Sequence, residues 1–318
     1  MAGPMRWAAA GVLVLLAAGC AGTAHQARPQ RSAAAGAGTH VVTPSPVGLT
    51  ADAGGHIWVV GVSAGTLTRL GSHAVEQSVS VGDTPLRVAA DADSLWVSVF
   101  GAGVIAQVDP AAARVVGTVA VGAEPEGIVA AFGSVWVVLQ KSGQLVRINP
   151  ATRAVVSRIR VGSGSRLVTA GADALWVSNF TTGTLTRVDP RVGTTRGTPK
   201  VCNGPQGMLP AADLVWVACT TDGTLVSVNP ATGRPATTVR TGGEPDALAA
   251  GPGGLILVAL TGGPTLITVD PRTAAVTGRR PLGQAPPLRD RANVDLVVRG
   301  RVAWVSSYFE GRVYRTGV

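Results

Sequence analysis

The sequence has 318 residues, 46% of them apolar and only 14% charged, with 42 glycines and 21 prolines spread along its length. That composition excludes a disordered polyelectrolyte and points to many short strands joined by tight turns. The formal charge is +9, and 25 of the 27 basic residues are arginine, scattered singly apart from short clusters such as Arg279-Arg280. With no basic block or helical basic stripe, a nucleic-acid partner is not expected. A mildly cationic surface suits a protein held near anionic lipid or an anionic cell wall.

In the first twenty residues Arg6 is the only charge before an apolar run from Trp7 to Ala18, too short to span a bilayer. A basic start, an apolar core and small residues before a break describe an export signal, residues 1–19. The run closes on Leu16-Ala17-Ala18-Gly19-Cys20, which resembles a bacterial lipobox. That resemblance implies cleavage before Cys20, lipidation of its sulfur and a lipid anchor on the outer side of the cytoplasmic membrane. Leucine is commoner where Ala17 stands; the alternative is an ordinary secretory peptide that leaves Cys20 a plain thiol. Ala21 to Gly38, rich in Ala, Gly, Gln, Thr and Arg without apolar periodicity, reads as the flexible part of a tether spanning residues 20–38.

From Thr39 onward one pattern repeats. In the stretch Val121 to Pro150 it runs as a Gly/Pro turn, a short apolar run, a Gly-Ser turn, an apolar run around Trp136, a polar turn and a third run closing on Asn149-Pro150. Aligned on the tryptophan it recurs at Trp58, Trp96, Trp136, Trp176, Trp216, Ile256 and Trp304, at steps of 38, 40, 40, 40, 40 and 48 residues. The turn residues Pro46, Pro85, Pro125, Ser165, Pro205, Pro245 and Pro286 keep the same phase, as do the pairs Asp109-Pro110, Asn149-Pro150, Asp189-Pro190, Asn229-Pro230 and Asp270-Pro271. A period near 40 with four short β-branched-rich runs and no helical periodicity predicts propeller blades, one four-stranded sheet per repeat. In each Asx-Pro pair the side-chain oxygen can bond backbone two residues on while proline sets the next φ.

The ends decide how the ring closes. The last repeat has runs at Val294–Val298, Val302–Tyr308 and Arg312–Thr316 and lacks a fourth, whereas an extra run, Thr39 to Thr43, precedes the first. The expected fold is therefore all-β: a seven-bladed β-propeller over residues 39–318 whose N-terminal strand completes the last blade and removes an open sheet edge. The motif VG-x-x-P-x-G, then VWVV, then L-x-R-I-N-P resembles the YVTN-type β-propeller repeat of exported bacterial proteins, over nearly all of the mature chain. Such repeats serve many roles, so the resemblance implies the fold and says little about function.

In a blade whose strands run outward from the axis, the residue after the turn proline begins the innermost strand. Leu86, Glu126, Arg166, Gln206 and Asp246 hold that place, and Arg87 and Asp295 stand one position further on. We read Arg87, Glu126, Arg166, Gln206, Asp246 and Asp295 as a ring at the channel mouth that binds a polar ligand. The expected partner is a protein, a peptide or a cell-envelope component, met by a monomer; the bland alternative is solvated loop residues with no specific partner. Phe100, Gln140, Asn179, Phe180, Thr220 and Tyr308, near the ends of the second strands, are expected beside this ring. The distance from Pro286 to Trp304 is 18 residues, against 11 in four other repeats, which places an inserted loop, Pro286 to Asn293, on the same face. The tryptophans, at a constant mid-strand register, are expected to pack between blades.

Cys202 precedes the innermost strand of blade 5 and Cys219 ends the second strand of that blade, so antiparallel pairing in an oxidising compartment predicts a disulfide between them; the alternative is two free thiols. His25, His40, His56 and His73 fall outside the ring, so no metal, cofactor or histidine-based catalysis is expected. Streptogramin B lyase is similar in repeat and blade number and relies on a mouth histidine that nothing here matches. A lyase or hydrolase of that class, working through Glu126 and Asp246 with a divalent ion, is the second functional reading.

Overall fold

The computed structural model describes residues 38–41, 45–71, 74–171, 173–283 and 294–318. The export segment, Cys20, the tether as far as residue 37, His25, His73 and the Pro286–Asn293 loop lie outside the described residues. The described chain forms seven four-stranded antiparallel sheets, a seven-bladed β-propeller.

Blade 3 shows how local sequence builds a sheet. Its inner strand is Pro125–Ala131, followed by Ser134–Leu139, Gln144–Ile148 and the outer strand Val155–Arg160. The second strand, SVWVVL, is buried at every position because both faces meet neighbouring blades, which is why it reads as a continuous apolar run. The outer strand alternates between half-buried and exposed residues, so its sequence alternates too. The turn before the outer strand is closed by Asn149 Oδ1, which accepts the N–H groups of Ala151 at 2.9 Å and Thr152 at 3.1 Å. Asp109, Asp189 and Asn229 repeat the pattern.

The other inner strands are Pro46–Ala51, Pro85–Ala90, Ser165–Gly171, Pro205–Ala211, Pro245–Ala250 and Leu296–Arg299. Blade 7 takes its outer strand from the start of the domain: Gly38–Val41 pairs antiparallel with Arg312–Gly317, Thr39 opposite Tyr314 and Val41 opposite Arg312. The ring is closed by this strand.

Among the described residues, seven apolar clusters hold the ring, each shared by two adjacent blades. Trp58 packs with Leu95 and Val97 of blade 2, Trp96 with Val135 and Val137 of blade 3, and so on round to Trp304 with Leu49 and Val59 of blade 1. Truncating one of these indoles is expected to cost about 3–5 kcal/mol. The tryptophan position always faces the following blade.

In blade 6 the structure corrects the alignment. Trp136 pairs with Arg147, two residues before Asn149; in blade 6 the residue two before Asp270 is Thr268, and it pairs with Leu257. Leu257, not Ile256, occupies the tryptophan position. Leu257 clusters with Leu296 and Val305 of blade 7, whereas Ile256 clusters with Trp216 of blade 5. One extra residue in the turn around Pro252–Gly254 shifts the second strand by one place, and in a strand a shift of one reverses the faces.

Candidate functional site

Most inner strands begin with an irregularity. In blade 3, Pro125 pairs with Leu139 but the next pair is Ile128 with Val137, so Glu126 and Gly127 together face one residue of the neighbouring strand. Blades 1, 2, 4, 5 and 6 carry a register shift at the same place. A bulge bends the strand and re-aims the extra residue out of the ladder. The backbone amide it frees still needs an acceptor. In blades 2 and 4 a serine two residues after the tryptophan supplies it: Ser98 Oγ for Arg87 N at 3.0 Å and Ser178 Oγ for Leu167 N at 3.2 Å; in blade 7, Ser306 Oγ accepts Asp295 N at 2.8 Å just before the inner strand. The triplet Trp-Val-Ser was the available signal for this serine acceptor, and sequence reasoning missed it.

The six candidate residues are brought together, but as a buried, self-paired ring rather than an open mouth. Glu126, Gln206, Asp246 and Arg87 are only 1%, 2%, 3% and 7% exposed. Across blades 3 and 4, Arg166 donates from Nη2 to Glu126 Oε1 at 2.9 Å and from Nε to Oε2 at 3.2 Å, a bidentate pair of the strong kind. Across blades 5 and 6, Gln206 Nε2 donates to Asp246 Oδ1 at 3.1 Å, and the second oxygen of Asp246 accepts from Val294 N of blade 7 at 2.8 Å.

The remaining pair skips a blade. Arg87 Nη1 of blade 2 lies 3.3 Å from Asp295 Oδ2 of blade 7, and the same oxygen accepts Leu49 N of blade 1 at 2.9 Å. Gly48, between them, makes this possible. A Cβ there would stand 2.7 Å from Arg87 Cα and from Leu86 O, closer than a side chain tolerates.

Charge in the ring is set by burial against neighbours. Burial alone would lower the Arg87 pKa, but Asp295, then Asp246 and Glu126, outweigh it and raise the value above normal. Burial pushes the Asp246 carboxyl up, and Arg87 with the Val294 N–H offsets this only in part. Desolvation wins at Asp246 and Coulombic attraction wins at Arg87.

A cavity of about 150 Å³, lined by Arg87, Asp246 and Asp295 with Gly127 and Gly207 in its wall, lies beside these groups. Arg87 Nε and Nη2 and Gln206 Oε1 are buried without a hydrogen-bond partner among the described residues. Two guanidinium donors and an amide acceptor thus remain for a polar group near the axis. Of the flanking residues, Phe180 stacks under the Arg166 guanidinium at 5.2 Å. Asn179 instead bonds Thr184 and Thr186 within its own blade, and Thr220 bonds Pro245 O. Tyr308 meets Phe309 edge-on at 5.6 Å. His56 sits in the turn at the far end of the blade 1 inner strand, where it bonds Asp52. Among the described residues, no group of three or more His, Cys, Asp or Glu is arranged to hold a metal ion.

Cys202 and Cys219 are joined as a disulfide, with Cα atoms 5.9 Å apart and a sequence separation of 17. The link ties the entry to the blade 5 inner strand to the end of the strand beside it.

No family model matches the chain, and no curated protein sequence matches it. Solved structures do resemble it. Virginiamycin B lyase from Staphylococcus aureus aligns with a TM-score of 0.71 at 15% identity, covering 86% of this chain and 95% of that one. A streptogramin B lyase structure gives 0.73 at 15%, covering 86% and 93%. Hydrazine synthase from Kuenenia stuttgartiensis gives 0.75 at 16%, covering 87% and 96%. At these identities the likeness is one of fold.

Proposed function

We propose that the protein is a monomeric, extracytoplasmic binding module, held on the membrane through a lipidated Cys20, that presents the inner ring to a polar group of a protein, a peptide or a cell-envelope component. One observation carries the binding reading. Charged and amide side chains from six blades converge on one end of the channel, and there Arg87 keeps two guanidinium nitrogens, Nε and Nη2, without a partner among the described residues. A propeller held together only by packing has no need of charges at its narrowest part, where desolvation works against them. The catalytic reading needs acids clustered round a metal or a nucleophile beside a base, and the self-paired ring offers neither; binding is therefore the reading developed here. The support for an anchor is the Leu16–Cys20 pattern and the apolar run before it.

The test compares capture of cell-envelope components by the full chain and by Arg87→Gln, which keeps a polar side chain but loses the guanidinium donors. Loss of a captured species with the fold retained is expected; an identical set would overturn the assignment of binding to the ring. Replacing Cys20 with serine is expected to move the protein from the detergent to the aqueous phase of a two-phase partition. Unchanged partition would overturn the anchor.

A further inference from the structure

Away from the channel, charge is divided unevenly. Residues 45–140 carry eight acidic and three basic residues, whereas residues 141–243 carry four acidic and twelve basic. Within the second stretch, the outer strand of blade 3 and the blade 4 turn beginning at Pro190 border a groove of about 530 Å³. Its charged lining is Arg147, Arg158, Arg160 and Arg191, with no acidic side chain. Two of these arginines are fixed in place. Arg147 donates to Ser134 Oγ at 2.9 Å and lies over the Trp136 ring at 5.2 Å, and Arg158 Nη1 donates to Val121 O at 2.8 Å. Asp189, at the foot of the same turn, is occupied by the Arg191 and Val192 amides.

Two further features give the groove its character. Val156 and Val192 line it, at 54% and 71% exposed, the highest values among the exposed large hydrophobic side chains of the described residues. The strand Val155–Arg160 is also the last of its sheet, so one row of its backbone donors and acceptors has no strand partner among the described residues. Facing it, the outer strand of blade 4 is only three residues long, Thr195–Gly197.

We propose that this groove docks an extended acidic segment of a partner protein. Carboxylates of the segment meet the guanidinium forks, which suit them geometrically; apolar side chains on the same face as those carboxylates cover Val156, which shares a strand face with Arg158 and Arg160, and Val192; and the segment's backbone runs along the open strand edge. A bare phosphate polymer would satisfy the arginines but leave the valines in water, so the apolar rim selects a peptide. This surface is distinct from the channel ring and does not depend on it.

The test measures fluorescence anisotropy of a labelled glutamate peptide with leucine at every fourth position, so that both residue types share one face of an extended segment, against the full chain. Binding is expected at about 50 mM salt, with affinity falling roughly tenfold or more by about 500 mM as the Debye length shrinks. Arg158→Glu with Arg160→Glu should weaken binding roughly tenfold or more, and Val192→Ser several-fold, with cooperative unfolding retained in each variant and melting unchanged in Val192→Ser, whose side chain is exposed. If the double variant fails to fold, Arg191→Gln, in an exposed turn, gives the same reading. Absence of binding, equal binding of a lysine–leucine peptide, or indifference of a folded variant would overturn the proposal. So would full displacement by inorganic polyphosphate together with indifference to Val192→Ser, which would identify a phosphate site instead.

Discussion

Replacing Arg166 with methionine isolates the energetics of the ring. Glu126 is 1% exposed and has both oxygens on the Arg166 guanidinium. Removing the cation strands a carboxylate where water barely reaches, and breaking a buried pair from one side costs about 3–5 kcal/mol. The Arg166 side chain is 22% exposed, so solvent screens part of the pair and the lower end, about 3 kcal/mol, is expected. Glu126→Gln should cost less, about 1 kcal/mol, because Arg166 keeps its stacking on Phe180 and its access to water. The double variant then restores stability relative to Arg166→Met alone, to a loss of about 1–2 kcal/mol, because no charge is left buried and unpaired. Urea unfolding followed by tryptophan fluorescence measures the cycle, with the m-value held constant as the check that the folded state is unchanged. If Arg166→Met and the double variant agree within about 0.5 kcal/mol, the stranded-charge reasoning is refuted.

Asp246→Asn tests the raised carboxyl pKa. A folded-state value above the unfolded one means that Asp246 favours folding below the ordinary carboxylate pKa of about 3.9 and that this contribution is lost as pH rises through the folded value. The asparagine variant should therefore gain stability relative to wild type as pH rises above about 4, and a flat difference in melting temperature would refute it. Cys202→Ala with Cys219→Ala should lose about 3 kcal/mol, as expected for a loop of this length, and a melting temperature that ignores reductant would contradict a formed bond. Ile256→Ala and Leu257→Ala should each cost about 2–5 kcal/mol. Only Ile256→Ala should alter tryptophan emission, because it shares a cluster with Trp216; the reverse would restore the alignment that the structure corrected.

Much of this protein is written in short stretches of sequence. Asn149-Pro150 and its counterparts make their turns with atoms two or three residues apart, and the run SVWVVL declares a strand buried on both faces. The repeat therefore determined the blade count, and the unmatched runs at the two ends determined that the N-terminal run, read as Thr39 to Thr43 and observed as Gly38–Val41, would complete the last sheet. These are local signals repeated seven times.

What the tertiary structure alone decided lies between blades. The positions of Arg87, Glu126, Arg166, Gln206, Asp246 and Asp295 in the repeat were legible, but not their pairing. Arg87 meets Asp295 across an intervening blade, through space that Gly48 leaves open, and no pattern along the chain encodes a contact between residues so far apart. The bulges that re-aim these side chains, and the extra residue that made Leu257 rather than Ile256 the successor of the tryptophans, depend on how a strand registers against its neighbour. Register is chosen by packing on both faces of a sheet, and those faces exist only once the blades stand together round the axis.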